Sequence, residues 1–136
     1  IHCALSSDES EMTVLTRAKG SMGHSLSDFD GFGNNLNKSH IKTKKISTVF
    51  KELKLDYIDC LHISVNGHEA DVLEGLDEYV DKVGVFCVMA PYSVNGVDVR
   101  KLVVDYFNKH DIKVWGRSQA AVVAGPKAGC YPVQPI

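Results

Sequence analysis

A mixed α/β fold, with a mostly parallel sheet and an antiparallel C-terminal hairpin, follows from three stretches of this sequence. Residues 58–65 form an apolar-leaning run that stops at Asn66-Gly67 and gives way at once to an acidic, helix-patterned segment. Such a run reads as a buried parallel strand, a tight turn and a helix start, the junction where open α/β folds place their chemistry. Residues 83–89 (VGVFCVM) form a second near-continuous apolar strand, closed by Ala90-Pro91. Residues 112–115 and 120–124 are strand-like, and the four residues 116–119 between them are short enough for an antiparallel hairpin.

The remaining elements follow in chain order. Residues 1–5 predict a short strand ended by Ser6-Ser7-Asp8, and residues 12–16 a second. Residues 17–40 are polar and glycine-rich and predict a flexible loop insert. Gly31 and Gly33 flank Phe32 there, but no strand precedes them and no helix follows, so they do not make a phosphate loop. Residues 41–46 predict a strand that pairs with 12–16. Ser47 or Thr48 is then placed to cap a helix with Val49, Phe50, Leu53 and Leu55 on its apolar face. The strongest helix spans 68–80, with Val72, Leu73, Leu76 and Val80 at one-face spacing and Glu69 and Asp71 at its positive end. Gly75 inside it costs about 1 kcal/mol relative to Ala, which predicts close packing or an early end. Asn95-Gly96 predicts a turn. Asp98 caps a helix carrying Leu102, Val103, Tyr106 and Phe107. Three prolines and two glycines make 125–136 an extended tail.

Length and composition bound the function. The 136 residues suit one domain, residues 1–124 with the tail beyond. Hydrophobic content of 44%, charged content of 24% and a net charge of −2 give no global field toward nucleic acid or anionic lipid. The basic cluster Lys42, Lys44 and Lys45 reads as a solvated strand edge. No apolar run approaches the roughly 20 residues of a membrane span. The first residue is Ile1, which suggests a processed or partial piece. The four cysteines, Cys3, Cys60, Cys87 and Cys130, form no C-x-x-C pair and read mainly as buried free thiols of a reducing compartment.

From Ile46 to Leu76 the chain reads ISTVFKELKLDYIDCLHISVNGHEADVLEGL. This segment resembles the second half of FkbM-type methyltransferases, class I enzymes that use S-adenosylmethionine and often methylate sugar hydroxyls. The family pattern runs roughly T-L-D, a short amphipathic helix, then I-D-x-L-K-I-D-V-E-G-x-E-x-x-V-L-x-G. Thr48, Ile58, Asp59, Leu61, Ile63, Val65, Gly67, Glu69, Val72, Leu73 and Gly75 stand in matching register. Ala4-Leu5-Ser6 is similar to an A-L-S segment of the same family.

The resemblance implies a partial Rossmann-like, class I methyltransferase sheet. It also implies what is absent: the acids of D-V-E-G stand as Ser64 and Asn66, that of T-L-D as Phe50, and that after the next strand falls at Met89-Ala90. Neither Ser nor Asn serves as a carboxylate base or cation ligand. The glycine-rich cofactor loop is not among these residues, so S-adenosylmethionine is expected only if an upstream half is present.

The resulting expectation is a catalytically degenerate scaffold, or alternatively the acceptor-side half of an active O-methyltransferase. In the class I sheet, strand 58–65 would lie between neighbours, one of them absent here. A partner, missing chain, second copy or the tail is expected to cover its apolar edge. Weak site candidates are Ser64, Asn66 and His68 for catalysis and Ser6 and Ser7 for cofactor contact. Cys60, His62, His68 and Glu69 do not match a zinc spacing, so no metal is expected. Tyr92, Asn95 and Trp115 are placed to line a pocket, with Trp115 read first as core packing.

Overall fold

A computed structural model describes residues 3–16, 37–117 and 120–128. A small sheet comes first in the chain. Strand β1 (Ala4–Leu5) runs parallel to β3 (Asn37–Lys44), and β2 (Glu11–Thr16) pairs antiparallel on the other side of β3. The β2–β3 pairing is as the sequence predicts, but β3 begins at Asn37, inside the expected loop. The rest of that loop, residues 17–36, lies outside the described residues.

Helix α1 (Ile46–Leu53) buries Ile46, Ser47 and Phe50. Ser47 and Thr48 do not cap it: Lys45 holds the cap position without a side-chain bond. Ser47 lies inside the first turn, and its hydroxyl donates instead to Asp77 Oδ2 at 2.8 Å. Leu53 is 54% exposed rather than on the buried face, because the helix closes at Lys54 in the left-handed region.

The main sheet has four strands in the order β4-β5-β9-β8: β4 (Ile58–Ile63), β5 (Val83–Met89), β9 (Ala121–Ala124) and β8 (Val114–Arg117). Strands β4 and β5 are parallel, and β9 runs against both β5 and β8. The C-terminal antiparallel hairpin is therefore present, with β9 inside the sheet and β8 at its border. The predicted strand 112–115 starts two residues late, and residues 118–119 of its link lie outside the described residues.

The 68–80 helix is broken. Helix α2 (Glu69–Glu74) stops before Gly75, and a 3₁₀ helix (Asp77–Lys82) leads into β5. Gly75 stands at the break, and a Cβ there would lie 2.3 Å from the Ser6 carbonyl oxygen, a close approach that requires Gly. Asn95-Gly96 turns a small hairpin, β6 (Ser93–Val94) with β7 (Val97–Asp98), which the sequence reading missed apart from its turn. Helix α3 (Val99–Lys109) is capped by Asp98, whose carboxylate accepts from Arg100 N at 2.9 Å. Leu102 is exposed; Val99, Val103, Tyr106 and Phe107 form the buried face.

One core joins the helices to one face of the main sheet. It holds Phe50 of α1, Val72 and Leu73 of α2, Val103 and Phe107 of α3, and the strand residues Ile63, Phe86, Val88, Val122 and Ala124. Phe86 and Phe107 stack with ring centroids 5.0 Å apart. The opposite face carries exposed Cys60 and His62, half-buried Cys87, Met89, Ala121 and Val123, and buried Val85.

Three expectations are corrected here. Strand β4 ends at Ile63 rather than at 65, and Asp59, Cys60 and His62 are exposed, so it is not buried on both faces. The helices lie on one side only, and the border strand keeps solvent on the other. Second, the thiols are free but not deeply buried: Cys60 is exposed and Cys3 and Cys87 are half-buried. Cys130 lies outside the described residues. Third, the tail does not extend from residue 125. Lys127 N donates to Gly84 O at 3.0 Å, Ala128 is buried, and the Lys127 ammonium sits 4.5 Å from the Tyr57 ring centroid. Residues 129–136 lie outside the described residues.

Candidate functional site

The β4–α2 junction is built around a turn that only certain residues allow. Asn66 and Gly67 both have positive φ, 55° and 101°. Asn tolerates the left-handed region and Gly adopts it freely. Two such residues in succession aim neighbouring backbone N–H groups into one concavity, an anion nest.

The chain fills that nest itself. Glu69 is fully buried, and its carboxylate accepts from Val65 N and Gly67 N, each at 3.0 Å. The backbone N–H groups of Asn66 and of Glu69 also favour its charged form. Burial is the larger influence and pushes the Glu69 carboxyl above the ordinary glutamate value of 4.5. A carboxylate held by so many donors is a brace for the turn. Its full burial keeps it from solvent.

His68 makes the second construction. Its Nε2 lies 3.2 Å from Ser6 Oγ, and its Nδ1 lies 3.1 Å from Asp71 Oδ2. The three side chains form a Ser–His–Asp string joining the end of β1 to α2. The order of contacts matches that of nucleophilic relays. Ser6 is only 2% exposed, however, and its hydroxyl also points at Met12 Sδ, 3.9 Å away. With no approach for a substrate, the string works as a buried clasp between the small sheet and the main domain.

Sequence reasoning named Ser6 and His68 for separate roles, and the fold brings them together. The 62-residue separation carries no spacing signal for that contact. The His68–Asp71 pair was legible, since residues three apart on a helix face each other. Ser64 is exposed, and Ser7 is half-buried beside the clasp. His68 has both ring nitrogens engaged, so it does not activate Ser64. Asn66 serves the turn through its backbone conformation.

The other candidates do not gather. His62 and Cys60 share the exposed sheet face, away from the core. Among the described residues no three His, Cys, Asp or Glu side chains are grouped to hold a metal ion. Burial pushes the Cys87 thiol up, with Cys60 a lesser cause, so it is not an activated thiolate. Trp115 is 39% exposed and not core. Its Nε1 donates to Gly125 O at 2.8 Å, and the Lys113 ammonium lies 3.8 Å from its ring centroid. That polar handle and cation contact hold it at the surface. Asn95 is exposed in the β6–β7 turn, and the Tyr92 carbonyl accepts from Val99 N at 3.1 Å. An open crevice of about 380 Å³ lies along α3, lined by Asp98, Arg100, Lys101, Val104 and Asp105. None of the junction residues borders it.

The basic cluster is largely spent on ion pairs. Lys44 pairs with Glu52, and Lys45 with Asp77 at 3.2 Å. The Ser47 hydroxyl, and after it Lys45, hold the Asp77 carboxyl below the usual aspartate range. No helix among the described residues is long and apolar enough to cross a membrane. No protein-family model, curated protein or solved structure matches this chain.

Proposed function

We propose that this chain is a methyltransferase-like domain of FkbM type that no longer catalyses and serves as a scaffold, docking through the free border of β4. One observation carries the reading. Every helix of the core packs on a single face of the main sheet, while among the described residues β4 has a neighbour on one side only. The β4–β5 pair is parallel, a pairing ordinarily covered on both faces, while β9 runs antiparallel to both its neighbours. Here the second face exposes Cys60 and His62 and leaves Cys87, Met89, Ala121 and Val123 half-buried, with Val85 buried among them. A β4 border of six residues with no proline or lysine is open to strand addition.

The chemistry at the junction supports the same reading. Where the resemblance implies carboxylates, Ser64 is exposed and Asn66 shapes a turn. The nearby acid, Glu69, is bound up in the nest. At the two motif positions a cofactor or acceptor would meet a hydroxyl and an amide in place of carboxylates.

Isothermal titration of S-adenosylmethionine into the 136-residue chain tests the proposal. The scaffold reading predicts no saturable heat at millimolar cofactor. Tight, stoichiometric binding would overturn it in favour of an enzyme whose site these residues complete.

A further inference from the structure

Asn37-Lys38-Ser39 is the one triplet in the chain with Asn first, Ser or Thr third and a centre other than proline. The other asparagines stand before Asn-Leu, Leu-Asn, Gly-His, Gly-Val and Lys-His. Such a triplet becomes an acceptor for N-linked sugar only where it is reachable. Here it opens β3, and Asn37, Lys38, Ser39 and His40 are all exposed, so the described residues cover neither side of this part of the strand. Alternation puts Asn37 and Ser39 on one side of the ribbon. Thr16 and Val14 stand opposite them in β2. Main-chain pairing holds Asn37 in place, and the Thr16 hydroxyl donates to its carbonyl oxygen at 3.4 Å. A group added to the carboxamide nitrogen would displace no packed side chain among the described residues. The same side carries half-buried Met12, Val14 and Ile41, apolar surface that a glycan would screen.

We infer that Asn37 is an N-glycosylation acceptor. The donor class is an oligosaccharide on a polyprenyl pyrophosphate, presented by a membrane-bound transferase. The Asn37 carboxamide nitrogen attacks the anomeric carbon, and a C–N bond forms as the bond from that carbon to the pyrophosphate oxygen breaks. The polyprenyl pyrophosphate leaves with the bonding pair, and the amide proton passes to a base of the transferase. Ser39 supplies the hydroxyl that the transferase reads two residues on. The inference does not rest on the methyltransferase-like reading. It does set the chain in a secretory lumen, against the reducing compartment that free Cys3, Cys60 and Cys87 suggest.

Expression of the full chain behind a cleavable secretion leader in a human cell line decides it, read in both medium and cell lysate. The wild type is expected to gain mobility on treatment with peptide-N-glycosidase. N37Q and S39A should run at the treated position without treatment, and N108Q should behave as wild type. In heavy-oxygen water the enzyme should convert Asn37 to labelled Asp, seen by peptide mass. An unshifted wild-type band in both fractions, or a shift that persists in N37Q, would overturn the assignment.

Discussion

Glu69 governs the junction at the scale of single residues. Its two oxygens accept from backbone N–H groups that would otherwise be buried without partners. Replacing it by Gln puts an amide donor where only acceptors fit. E69Q is therefore expected to cost about 1–3 kcal/mol by urea denaturation at neutral pH. The pH dependence has a definite sign. The folded-state pKa of this acid is raised, so the folded protein holds the proton more tightly than the unfolded chain does. Its contribution to stability is therefore lost as pH rises from the ordinary glutamate range through the raised value. Denaturation midpoints measured across that window should show this slope in wild type and lack it in E69Q. Gly75 gives a second prediction. G75A improves helix propensity but drives a Cβ into the Ser6 carbonyl, and is expected to destabilise by about 1–3 kcal/mol. A stabilised G75A in thermal unfolding would contradict the close approach.

At the scale of elements, the clasp and the caps decide what was readable. Ser6→Ala removes the buried hydroxyl that His68 holds, and should cost about 1–3 kcal/mol in chemical denaturation. D98A should cost about 1 kcal/mol through the lost cap of α3, while T48A should cost α1 no cap energy. Strand β5, the Asp98 cap, the Asn66-Gly67 and Asn95-Gly96 turns and the C-terminal hairpin were legible because each is set by local composition. The close approach at Gly75 was legible only as an alternative to an early helix end, since it is made to a carbonyl far away in the chain. The same holds for the Ser6–His68 contact. The exposure of Cys60, His62 and Trp115 was not legible at all. An apolar-leaning strand looks the same in sequence whether a helix covers it or not, and β4 is covered on one face only.

The described residues make one packed core with a partly exposed second sheet face and, among them, an unpaired border on β4. Three exposed residues on β4, Asp59, Cys60 and His62, count against a strand shaped for permanent burial between neighbours. They fit a border that takes up a partner while staying soluble without one. The free border tests this most directly. Alternate amides of β4 point away from β5 and have no ladder partner among the described residues. Hydrogen exchange followed by peptide mass across Ile58–Ile63 should show these amides exchanging fast in the isolated chain and strongly protected in the particle purified from its source. Equal, fast exchange in both samples would contradict the docking of β4, and with it the scaffold.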